Sequence, residues 1–153
     1  MINKNKIKTL FILPNLAAGG AERVYSFVPQ NMDPSRFQST ILIVGHKKDT
    51  VYDTGNIPVI SLQKNRLKEG ILAIYKFLKK ERPDVVFGSI AHINTALGLM
   101  ALFFPKIKFI IREASVISFM AKFSEGKPSL FWNIAPKIAY KQVDAVICQS
   151  KDM

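Results

Sequence analysis

The sequence predicts an α/β fold: a doubly wound, mainly parallel sheet with helices on both faces. Three observations predict it. Short apolar runs that read as buried strands alternate with helical patterns along the whole chain. Pro14, Pro83 and Pro105 cut those patterns off sharply. The 153 residues are 48% hydrophobic, which suits the core of one ordinary domain.

The elements follow in order. Ile7 to Leu13 (IKTLFIL) is a first strand ended by Pro14. Behind Gly19-Gly20, Ala21 to Asn31 reads as a helix with Val24, Phe27 and Val28 at core spacing. Ser39 to Gly45 and Ile57 to Leu62 are strands. Arg66 to Glu81 is amphipathic: Leu67, Ile71, Ile74, Tyr75 and Leu78 form its apolar stripe, beside Lys68, Lys76, Lys79 and Lys80. Then come a strand (DVVFGS), a nearly all-apolar helix (INTALGLMALFF), a fifth strand (IKFIIRE), a helix from Pro128 to Lys141 and a sixth strand (DAVICQS). The closing "KDM", with Ser150 as its cap, reads as the first turn of another helix, so a longer protein is expected.

The formal charge of +11 and pI near 9.9 call for an anionic partner: nucleic acid, anionic lipid or phosphorylated substrate. Lys64 to Arg82 holds seven basic and two acidic residues, and Lys106 to Lys141 repeats that balance. The second region interleaves Phe119, Met120, Phe123, Phe131 and Trp132, which suits either an interfacial surface or a solvated basic face over core aromatics. Lys122, Phe123, Lys127 and Trp132 are the membrane-facing candidates. The longest apolar run, Ala96 to Phe104, is too short to span a bilayer, and the N-terminus lacks a signal-peptide core. The single cysteine, Cys148, is expected in the core of a protein from a reducing compartment.

Doubly wound sheets bind ligands beyond the carboxyl ends of their strands. Gly19-Gly20 there would turn backbone amides toward an anion, or serve only as a tight turn; the pattern is neither a dinucleotide fingerprint nor a P-loop. His92 follows the fourth strand, where an imidazole could meet a sugar hydroxyl or cap a helix. Arg112-Glu113, with Ser115 and Ser118 behind, fits substrate recognition or a structural salt bridge. His46 reads as solvated. No Cys or His cluster has metal-ligand spacing.

Taken together, "KTLFILPNLAAGGAERV", "RPDVVFGSIAHINT", "KFIIREAS" and "DAVICQS" resemble the N-terminal domain of a family 4 glycosyltransferase of GT-B fold, over essentially all 153 residues. The resemblance implies that residues 1–153 are the single Rossmann-like, acceptor-side half of a retaining enzyme. The donor-binding C-terminal domain, which carries the family's paired glutamates, would be absent, leaving this chain alone inactive or nearly so. It implies Gly19 and Gly20 beside the donor diphosphate, His92 as the catalytic residue beside the transferred sugar, and Asn15, Arg112, Glu113 and Ser115 toward the acceptor. It further implies a nucleotide-sugar donor, a saccharide or lipid-linked acceptor, no bound metal and no other cofactor. With the basic surface it points to cell-envelope or capsular polysaccharide synthesis in the bacterial cytoplasm, at the inner face of the membrane. The competing readings are a basic nucleic-acid-binding α/β module, against which no recognised motif is present, and a stand-alone nucleotide-binding regulator.

Overall fold

In a computed structural model the described residues are 6–47, 50–65, 67–113 and 130–148. The strands are β1 (Ile7–Leu13), β2 (Phe37–Ile43), β3 (Val59–Ser61), β4 (Val85–Ser89), β5 (Lys108–Glu113) and β6 (Ala145–Cys148). The helices are α1 (Gly20–Gln30), α2 (Leu67–Glu81), α3 (Ala91–Ala101) and α4 (Leu130–Gln142). All six strands pair in parallel in the order β3-β2-β1-β4-β5-β6. That is the doubly wound fold expected, with its order reversing between β1 and β4.

Alternation along each strand splits the core into two layers. Phe11, Leu13, Ile41 and Ile43 face α1 and pack with Leu16 and Tyr25. Leu10, Ile12, Leu42, Val86 and Phe109 face the other way, against Ile74 and Leu78 of α2 and Ile93, Leu97 and Met100 of α3. Right-handed crossovers put α2, α3 and α4 on that second side.

Three local expectations are corrected. On α1 the buried positions are Tyr25, Ser26 and Pro29, while Phe27 is 62% exposed. The apolar spacing was right for a helix and Val24 does pack against the core, but Phe27 and Val28 turn outward, because Tyr25 sits edge-on against Phe11 at 5.3 Å and fixes the helix rotation. On α2 the stripe centres on Ile74 and Leu78, leaving Ile71 at the surface. Cys148 is exposed rather than buried: β6 is the edge strand, and all four of its residues are exposed.

Candidate functional site

The carboxyl ends of β1 and β2 and the start of α3 enclose a cleft of about 260 Å³, at the point where strand order reverses. Asn15, Gly45, His46, Lys64, Asn65 and His92 line it. Backbone bonds knit its floor: Gly45 N donates to Pro14 O at 2.7 Å and Lys64 N to Val44 O at 2.8 Å. Asn15 closes an Asx turn, its Oδ1 accepting from Ala17 N at 3.1 Å. His46 Nε2 lies 3.1 Å from Asn65 Oδ1. His46 stays partly exposed, and the fold brings it to the same cleft as His92. Nothing in its basic turn signalled this; only the parallel placement of β2 beside β1 does so.

His92 is the second residue of α3, which begins at Ala91, two residues earlier than the apolar pattern suggested. Ile90 is the residue that caps α3, without any side-chain cap bond, so His92 is not a cap. Ile90 has φ 89°, a left-handed conformation that a β-branched residue adopts at a cost of roughly 1–3 kcal/mol. The turn between β4 and α3 therefore carries strain, and it sets His92 at the mouth of the cleft. Partial desolvation lowers the His92 pKa below the ordinary imidazole value, so at neutral pH the ring is uncharged, with one donor and one acceptor nitrogen.

Gly19 precedes α1 and Gly20 opens it. The Glu22 carboxylate folds over Gly19 and fills the space a side chain there would need, whereas a Cβ on Gly20 would meet nothing within 4 Å. Glu22 thus already places negative charge at the positive end of α1, leaving Gly20 as the open approach.

Arg112 and Glu113 are the last two residues of β5, as the strand IKFIIRE implied, and both are buried. As strand neighbours they point to opposite sides of the sheet, and no ion pair joins them among the described residues. Arg112 lies on the α1 side, Nη1 donating to Ser89 Oγ at 3.4 Å. Glu113 lies on the α3–α4 side, where its Oε2 accepts from Tyr140 and, at 3.4 Å, from Asn94 Nδ2. Asn94 Nδ2 also donates to the Arg112 carbonyl at 3.0 Å, which ties the first turns of α3 to the end of β5. Burial, then the carboxylate of Glu113, raises the Tyr140 pKa well above that of a free phenol. Asn94 and Tyr140 were not anticipated; both sat within apolar helical patterns.

The structure therefore gathers Asn15 and His92 at one cleft, and leaves Arg112 and Glu113 at the end of β5, outside its lining. Ser115, Lys122, Phe123 and Lys127 lie outside the described residues, as does the side chain of Trp132. Among the described residues no helix is long and apolar enough to cross a membrane.

No protein family and no curated protein matches this sequence. Among solved structures, the chain is similar to a crystal structure from Listeria monocytogenes named as a UDP-N-acetylglucosamine 2-epimerase, with TM-score 0.60 and 18% identity. The match covers 95% of this chain and 40% of that one. The likeness shows the fold. This chain is a Rossmann-like α/β unit of the GT-B type, spanning well under half the length of the protein it matches.

Proposed function

We propose that this chain is the acceptor-side domain of a retaining glycosyltransferase that takes a sugar from a nucleotide-sugar donor. The observation that carries this reading is the cleft itself. It lies at the switch point of a doubly wound sheet, and among the described residues its lining offers two amides, two imidazoles and a lysine but no carboxylate. Such groups suit a hydroxyl-rich ring bearing an anionic group. At about 260 Å³ the cleft falls below the roughly 300–1,000 Å³ of an ordinary ligand pocket, as one wall of a larger site would.

In the complete reaction an acceptor hydroxyl bonds to the anomeric carbon as the bond to the diphosphate breaks. The hydroxyl proton passes to the departing phosphate oxygen. Neutral His92 hydrogen-bonds the transferred sugar, and the open backbone at Gly20 approaches the diphosphate, which a second domain holds from the other side. Asn15 is the acceptor contact at the cleft. Arg112 and Glu113 act from the end of β5, where Arg112 holds Ser89 at the end of β4 and Glu113 holds Asn94 of α3. The work belongs to polysaccharide assembly on the cytoplasmic side of the cell envelope.

The test is turnover of UDP- and GDP-sugars by the native protein with saccharide and lipid-linked acceptors. His92→Ala is expected to lower turnover at least tenfold, and unchanged turnover would remove His92 from the site. The structural likeness favours one second reading, a sugar-nucleotide epimerase. Inversion at C2 of UDP-N-acetylglucosamine without any acceptor, followed by NMR, would replace the transferase reading with that one.

A further inference from the structure

Leu72, Leu102 and Phe103 belong to neither core layer: they are 61%, 56% and 67% exposed. They form one patch. Tyr75 of α2 packs edge-on against Phe103, with ring centroids 6.2 Å apart, and against Phe104 at 5.1 Å. Leu72 and the half-exposed Ile71 lie one turn before Tyr75, on the same side of α2. Phe103 is held outward by a tight turn, its N–H donating to Met100 O at 2.9 Å while Ile107 N donates to Phe104 O at 3.0 Å. Exposed lysines border this patch: Lys76 and Lys79 on α2, and Lys106 in the turn itself. Of the acids on α2, Glu81 is engaged by Lys80 at 3.5 Å, and Glu69 sits in the first turn, beside Leu72 at the end of the patch away from residues 102–106.

We infer that this patch, where α2 meets the α3–β5 turn, docks on an anionic lipid surface. Phe103 and Leu102 would enter the headgroup layer. The lysines would bury their stems against the apolar side chains and reach lipid phosphates with their ammonium groups. A stable protein partner would need about 800 Å² on this side, more than a few exposed side chains in one turn and one helix face supply. A lipid surface needs only shallow apolar insertion and positive charge. The patch lies toward the amino-terminal edge of the sheet, whereas the cleft lies at the carboxyl edge, so a docked molecule keeps its cleft open.

Vesicle co-sedimentation of the 153-residue chain tests this, using phosphatidylcholine vesicles with and without 30% phosphatidylglycerol. The chain is expected to bind the anionic vesicles and to lose binding as salt rises. Lys76→Gln with Lys79→Gln should weaken binding roughly thirtyfold. Leu102→Ser with Phe103→Ser should weaken it by about tenfold or more. Phe27→Ser, at an equally exposed position on the opposite face, should leave it unchanged. Equal binding to neutral and anionic vesicles, or wild-type binding by both double variants, would overturn the inference. So would a self-associating chain that Leu102→Ser with Phe103→Ser renders monomeric in sedimentation, since the patch would then be a protein interface. His92→Ala is expected to bind vesicles normally, which separates this result from the transferase reading.

Discussion

Gly98→Ala probes the seat of the helix that carries His92. A Cβ on Gly98 would stand 2.6 Å from the carbonyl carbon of Ala139 and 2.7 Å from its Cβ. Carbon atoms rest at about 3.5–4.0 Å, so α3 and α4 would have to part by about 1 Å. The obstacle is backbone, so no side-chain rotation relieves it. A gap of that size forfeits roughly a quarter to a half of each contact across the helix pair. Overpacking of this kind destabilises by about 1–3 kcal/mol, and the better helix propensity of alanine returns about 1 kcal/mol. With backbone as the obstacle the upper end applies, for a net loss of about 2 kcal/mol and a fall in Tm of about 4–8 °C. Urea and thermal unfolding by circular dichroism measure both. A Gly98→Ala variant as stable as wild type, or more so, would show that propensity alone governs the site and that the close approach of α3 to α4 is wrong.

Gly20→Ala should behave in the opposite way, since its Cβ enters open space: stability changes by no more than about 1 kcal/mol, while nucleotide-sugar turnover falls at least tenfold. Full turnover would remove Gly20 from the donor approach. His92 should titrate below 6.5 in an NMR pH series, with His46→Gln identifying the other of the two histidines. Because its folded pKa is depressed, the folded chain binds fewer protons there than the unfolded one, so stability should drop as pH falls through 6.5 toward the folded value. A midpoint at or above 6.5 contradicts the partial burial of the ring. Tyr140→Phe removes the O–H that Glu113 accepts and leaves a buried carboxylate with Asn94 at 3.4 Å; the expected loss is about 1.5–3 kcal/mol, and an unchanged urea midpoint would deny that bond.

Much of the architecture could be read directly from residue order. Apolar runs such as IKTLFIL and KFII have no polar alternation, which is how strands covered on both faces must read, and the helical stripe of α2 kept Ile74 and Leu78 inward as expected. The cleft was half legible. His92 and Asn15 follow strands β4 and β1, which the switch-point rule marks as binding positions. His46 was not, because its place beside them depends on β2 lying next to β1, a pairing between segments about thirty residues apart.

Arg112 and Glu113 show the limit most plainly. Their adjacency suggested a shared task, yet the two-residue period of a strand sends one side chain to Ser89 and the other to Asn94 and Tyr140. By itself the sequence determined the fold class, the alternation of strand and helix and the strand ends at which a ligand would bind, because hydrophobic periodicity is local. Only the tertiary structure decided that Phe27 and Cys148 face outward, that Gly98 sits against Ala139 and that His46 joins His92. Periodicity says which residues share a face, but what covers that face depends on strand order and helix rotation, and both are settled by packing between distant segments.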